Sequence, residues 1–468
     1  MKKHFIPAIV LAAVSFVFIT FNEKAVAANC CPLPCDSVCP APCDPACGAQ
    51  HSFRTYLTEK SIFESPLFDN RLIGRNSRSR IHFYGWLQTG ITVNQYGAKH
   101  TYAESRYLYN NRYDRDGNLT RAGYADLSGN SFPLMTEQQT NWKLNQIWFG
   151  ARRDLTNRLD WGFQADYVYG TDSRYARNWG DQSFDYRWGS GDHFGTFAQL
   201  FGTIGTRDLH VRVGKFAGGF SHEGLPAPRE YFYTHSYLCF GRPLTAHGVT
   251  VEWKPNQRWT FSSGWVAGVF TSFDNPFNDS GFLGKATYHF TKDMSLSYHI
   301  FYNDRGARPT HRNDFGAHLG MIECHNILIL RWKLNPRWSY MGEIAYMDSE
   351  TRARLGGTVH ARSWGVNNHL IYTVNDKWSF GVRGEYHYSL RSMFDNPGIT
   401  VGPNGVGGQG GDMWAVTLAS HYKINPKTTF RPELRYDHAN YNNGFRPFGG
   451  DASKKDQLSG GVSLIVMF

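Results

Sequence analysis

Long apolar runs are nearly missing from this chain of 468 residues, whose hydrophobic fraction is 41% and whose mean hydropathy is −0.47. A bundle of membrane helices needs several uninterrupted apolar stretches of about 20 residues. Only one stretch approaches that length, at the N-terminus. Helical membrane architecture is thereby excluded. No glycine-rich phosphate loop or nucleic-acid module is present. Histidine is scattered: His299 and His387 stand beside ordinary strand neighbours and His235 lies in a loop. None completes the Ser/His or Asp/His grouping that hydrolysis requires. An enzyme is not expected, nor is a cofactor, a metal or a nucleic-acid partner.

What is abundant points elsewhere. The 14 Trp, 26 Tyr and 33 Phe supply more burial than a disordered chain carries, and 48 Gly suit turns better than helices. The remaining class is a large all-β protein.

Residues 1–27 read as a secretory signal peptide. Lys2, Lys3 and His4 form a basic start, 5–21 form the apolar run, and Ala25-Val26-Ala27 gives the small-x-small cleavage pattern. Cleavage after Ala27 removes Lys2, Lys3 and Lys24 against Glu23, which takes the formal charge from +10 to +8. That charge suits basic loop tips meeting anionic lipid head groups. Residues 28–80 form a Cys/Pro-rich, then polar and irregular segment, with a short helix expected over 53–63. Within it Cys30, Cys31, Cys35, Cys39, Cys43 and Cys47 are spaced by prolines, which favours an extended tether with disulfides, internal or to an envelope partner. Zinc ligation is the alternative, but a structural site repeats its Cys pair at a distance, and only Cys239 and Cys324 lie elsewhere.

From 81 onward, segments of about 9–13 residues alternate apolar and polar, the length of a tilted membrane-spanning strand. In 159–170, Leu159, Trp161, Phe163, Ala165, Tyr167 and Tyr169 share one face. In 378–389, Trp378, Phe380 and Val382 oppose Arg383, Glu385 and His387; in 428–438, Phe430, Leu434 and Tyr436 oppose Arg431, Glu433, Arg435 and Asp437. One face is lipid-like and the other ionic, the reverse of a soluble sandwich.

Sixteen segments follow this design. The first eight are 81–94, 141–153, 159–170, 193–204, 208–216, 246–254, 259–270 and 281–290. The others are 295–303, 317–334, 338–347, 363–374, 378–389, 413–424, 428–439 and 457–468. Seven separators are tight (155–158, 205–208, 255–258, 291–294, 335–337, 375–377 and 425–427), and the rest are mostly long and polar. Short turns on one side and long loops on the other describe a closed antiparallel outer-membrane β-barrel with both termini in the periplasm. Trp161, Trp259, Trp338 and Trp378 after the turns read as an interfacial girdle. Pro432 inside a strand and the overlong 317–334 fit the pattern least well, and a local bulge would account for either. A propeller shares the spacing of the turns but needs four short strands per repeat.

The chain resembles the OmpL-like β-barrel porins of the porin-2 group. The resemblance is carried by Phe83-Tyr-Gly-Trp-Leu-Gln-Thr-Gly-Ile-Thr, Leu144-Asn-Gln-Ile-Trp-Phe, Tyr167-Val-Tyr-Gly-Thr-Asp-Ser-Arg-Tyr and Val211-Arg-Val-Gly-Lys-Phe. Pro226-Ala-Pro-Arg-Glu-Tyr-Phe-Tyr-Thr-His-Ser-Tyr completes the set. It implies a passive outer-membrane channel for small hydrophilic solutes or ions, surrounded by outer-membrane lipid. It assigns no ligand residues.

Inward-facing strand charges balance, with Arg212, Lys254, Lys285, Arg331, Arg383, Arg431 and Arg435 against Asp160, Asp166, Glu252, Glu343, Glu385, Glu433 and Asp437. No ion selectivity follows from that count. The loop 217–245 is unusually aromatic. Folded into the barrel, it would place Glu223, Arg229, Glu230 and Arg242 at a constriction, whereas the alternative is an extracellular loop packed on its neighbours. The function reading keeps a rival too: a structural or adhesive outer-membrane anchor, cross-linked through its Cys-rich segment. A homo-oligomer is left open.

Overall fold

A computed structural model describes residues 80–96, 112–113, 119–121, 142–176, 184–185, 188–190, 193–217, 220–239, 242–269, 271–275, 278–307, 319–352, 358–389, 410–441, 446, 448 and 454–468. The signal peptide, the expected 53–63 helix and the six clustered cysteines lie outside the described residues.

The chain forms one long meander. β1 (Ile81–Asn94) precedes a small hairpin of β2 (Arg112–Tyr113) and β3 (Leu119–Arg121), then β4 (Lys143–Arg153) and β5 (Asp160–Gly170). The stub β6 (Gly189–Ser190) leads into β7 (His193–Gly205), β8 (Leu209–Ala217) and β9 (Thr245–Trp253). β10 (Trp259–Val269), β11 (Ser280–Thr291), β12 (Met294–Ala307), β13 (Leu319–Lys333) and β14 (Trp338–Arg352) follow. β15 (Thr358–Thr373), β16 (Trp378–Ser389), β17 (Gly411–Asn425), β18 (Thr428–Tyr441) and β19 (Asp456–Met467) complete the chain. The main sheet has seventeen strands; setting aside the two-residue β6 leaves sixteen staves. Neighbours pair antiparallel, and β1 pairs with both β4 and β19, which closes the barrel.

All sixteen expected segments are strands. Several run further on the long-loop side than the alternation indicated, for example Trp338–Arg352 against an expected 338–347. Beyond the acyl layer the strands stay paired, from Trp338↔Tyr372 to Arg352↔Thr358, but no longer need an apolar face. The expected bulges at Pro432 and in 317–334 are absent. Pro432 keeps register with Val462, and its other flank simply skips two rungs between Ala419↔Glu433 and Tyr422↔Phe430. That gap accommodates a residue with no N–H to donate. β13 stays in register along both neighbours.

The barrel is apolar outside and polar inside. On β16, Trp378, Phe380 and Val382 are 39%, 50% and 44% exposed, while Arg383, Glu385 and His387 are buried. The short turns fix where the aromatic girdle begins. Asn256, Asn335 and Asn375 each accept two backbone N–H bonds through Oδ1, the second from Trp259, Trp338 and Trp378 at 3.0, 3.0 and 2.9 Å. Each Asx turn thus aims an outward tryptophan at the membrane interface. The interior is not uniformly ionic, however. Val266, Leu283, Phe301, Ile327, Ile329 and Met341 make the inner wall of β10–β14 apolar, and Phe216, Phe220 and Leu238 pack on it.

Candidate functional site

Residues 220–239 and 242–244 follow β8 and lie against the inner wall. Phe232, Tyr233, Tyr237, Leu238 and Cys239 are all at most 5% exposed. A coil buried in this way must have its backbone polar groups satisfied, and here the wall charges do so. Glu433 accepts the N–H of Tyr233 at 2.7 Å and of Thr234 at 3.2 Å, together with the Thr234 hydroxyl. Glu385 accepts Tyr237 N–H at 2.6 Å, and Glu343 accepts the Ser221 hydroxyl at 3.0 Å. Guanidinia serve the carbonyls. Arg383 donates to Thr234 O at 2.6 Å, Arg435 to His235 O at 3.1 Å, and Arg431 to Glu230 O at 2.7 Å and Ala227 O at 3.3 Å.

Ion pairs interlock with these bonds. Arg383 meets Glu223 at 3.0 Å and Glu385 at 3.2 Å; Arg435 meets Glu385 at 2.9 Å and Asp437 at 2.8 Å; Arg242 pairs with Glu343. Glu223 also accepts Ser236 N–H at 2.6 Å. Burial alone would raise its carboxyl, but the Arg383 guanidinium and then His369 more than reverse this and hold it well below the usual range. Glu230 goes the other way. Burial, then the Glu223 charge, push it well above the carboxylate range, and it accepts Gly224 N–H at 2.7 Å. Two carboxyls of one segment are thereby shifted in opposite directions.

Of the residues picked out in the sequence, Glu223, Glu230, Arg242, Arg383, Glu385, Arg431, Glu433, Arg435 and Asp437 lie in or beside this network. Arg229 ends the 3₁₀ turn Ala227–Arg229 and is half-buried. Several contributors were not foreseen. Gln146 donates to Leu225 O at 2.7 Å and accepts Ala227 N–H at 3.2 Å; Asn145 accepts the Tyr233 hydroxyl at 3.0 Å. Asn145 stands where the β1–β4 register shifts by one. His421 stacks on Tyr231 at 3.9 Å between ring centres. Gly381 gives the Tyr231 ring its space, since a Cβ there would fall 2.3 Å from it. Neutral amides and glycines carry little signal in a sequence, although Asn145 and Gln146 sit inside one of the family-like segments. Two cavities of about 10 Å³, each room for a single water, lie within this packing.

A closed barrel of sixteen staves, apolar outside, charged inside, with short turns at one rim, defines an outer-membrane β-barrel channel. The chain belongs to the family described as "putative beta-barrel porin-2, OmpL-like", which matches residues 80–468. Among solved structures it is similar to the outer membrane channel DcaP of Acinetobacter baumannii, at 9% identity and a TM-score of 0.52, covering 83% of this chain and 97% of that one. It is also similar to an anion-selective porin from Comamonas acidovorans (12%, TM-score 0.50, 83% and 99% covered) and to OprB of Pseudomonas putida (12%, TM-score 0.50, 84% and 95%). At such identities the likeness is one of fold. No match was found among curated proteins.

Proposed function

We propose that this porin passes small hydrophilic solutes by passive diffusion, and that residues 220–244 narrow its bore, with Glu223, Arg229, Glu230 and Arg242 at the constriction. The carrying observation is that wall charges from β14, β16 and β18 bind the backbone of this coil, which supports its place inside the barrel. Arg383, Glu385, Arg431, Glu433, Arg435 and Asp437 then serve mainly to hold the constriction, because their charges are taken up by the segment and by one another. Removal of residues 226–236 and reconstitution in a planar bilayer tests this. Single-channel conductance should rise severalfold, since a sixteen-stranded barrel without a filled lumen encloses an aqueous channel. Unchanged conductance refutes the constriction. Absence of current in the intact chain would instead favour a barrel that serves as an anchor.

A further inference from the structure

Inward-facing charges divide by exposure. Arg383, Arg431 and Arg435 are at most 1% exposed and sealed against carboxylates or backbone carbonyls. Other inward side chains within about six residues of a short turn meet water, and their balance differs. Arg212 and Lys254 flank Glu252 at 4.0 and 2.8 Å, with side-chain exposures of 27% and 37%. Lys285 on β11, Arg331 and Lys333 on β13 and Lys423 on β17 also face inward and are half-buried. Arg152 on β4 faces inward beside Asp154 at 3.4 Å. Against these seven cations the acids that meet the same tier, among the described residues, are Glu252, Asp160 and, at the turn itself, Asp154. Asp160 already meets Arg80 at 2.6 Å and Arg153 at 3.0 Å.

The register adds a second pattern. Arg212 lies opposite Thr250, Lys285 opposite Ser262, Arg331 opposite Ser295, Lys333 opposite Ser339 and Lys423 opposite Thr429. Five of the seven cations therefore have a hydroxyl as cross-strand neighbour on the same inner face, a donor that adds no opposing charge. Cations interleaved with hydroxyls around a low-dielectric wall concentrate anions and repel cations.

We propose that the turn-side mouth of the bore is an anion-selecting vestibule, favouring small solutes that carry carboxylate or phosphate groups. This rests on the channel reading and deepens it. The equal tally of charges along the strands concealed the preference, because the acids are concentrated in the sealed tier and the cations in the wet one.

The test is the reversal potential of the full chain in a neutral phosphatidylcholine bilayer under a KCl gradient. Chloride should be preferred over potassium. The preference should strengthen when bulk salt falls from about 1 M to about 0.1 M, as the screening length grows from about 3 to about 10 Å. Lys285→Gln/Arg331→Gln/Lys423→Gln should move the potential toward zero, and Glu252→Gln should move it the opposite way. A conducting channel with no anion preference, or a preference untouched by both variants, overturns the vestibule alone. Absence of any current overturns it together with the channel reading.

Discussion

Arg383 offers the sharpest test of how the segment 220–244 is held. Its guanidinium is fully buried. It bonds Glu223, Thr234 O, and the hydroxyls of Thr234 at 2.9 Å and Thr417 at 3.2 Å, and it lies 4.8 Å over the Phe232 ring. Arg383→Met keeps most of the volume but leaves the Glu223 carboxylate buried without its main cation. Removal of one partner from a buried ion pair costs about 3–5 kcal/mol, roughly a thousandfold in the folding equilibrium. Glu223→Gln in the same chain removes the stranded charge, so the double variant should recover about 1–3 kcal/mol. The folded value of Glu223 is depressed, so the stability it contributes is present above the ordinary carboxylate range and is lost as pH falls through the lower folded value. The cost of Arg383→Met should therefore shrink toward acid. Urea titration in lipid vesicles, read by the gel shift between folded and unfolded barrel, measures all three chains. A single variant costing under about 1 kcal/mol, or a double variant no better than the single, would refute the account.

Two further outcomes follow from the same structure. Leu418 is 49% exposed on the outer face of β17, midway between Tyr422 and Trp414, so Leu418→Arg should cost about 2–4 kcal/mol in a bilayer. The same change on a water-facing surface would stay within about 0.5 kcal/mol, and that result would place this face outside the lipid. Glu230 has a raised folded value, so its contribution is present below the ordinary carboxylate range and is lost as pH rises through the raised one. Glu230→Gln should thus gain stability relative to the parent as pH rises above the ordinary carboxylate range; a gap that stays constant there, seen in the same titration, would contradict the upward shift.

The staves were legible because a period of two with one greasy face admits few other folds. Trp378-Ser-Phe-Gly-Val-Arg-Gly-Glu states both faces of β16 in eight letters. The interior was less legible, since alternation says which way a charge points and not what it meets. Arg212 and Arg383 look equivalent in sequence, yet one is wet beside Glu252 and the other is sealed against a coil more than a hundred residues earlier. The apolar patch inside β10–β14 was hinted at by Ile327-Leu328-Ile329-Leu330, apolar on both faces, a pattern typical of strands covered on both sides. Lys333 and Lys423 went unnoticed as inward cations because they stand at strand ends, where the alternation fades into the turns.

The inner segment also ties together strands that belong to opposite ends of the chain. Tyr233 donates its hydroxyl to Asn145 on β4 and its N–H to Glu433 on β18, while Ala227 gives its N–H to Gln146 on β4 and accepts from Arg431 on β18. Between β4 and β18 lies the β1–β19 seam, the single joint made from the first and last staves. That joint is clasped from within, so lateral unzipping there must break a set of buried side-chain bonds as well as one ladder of backbone bonds.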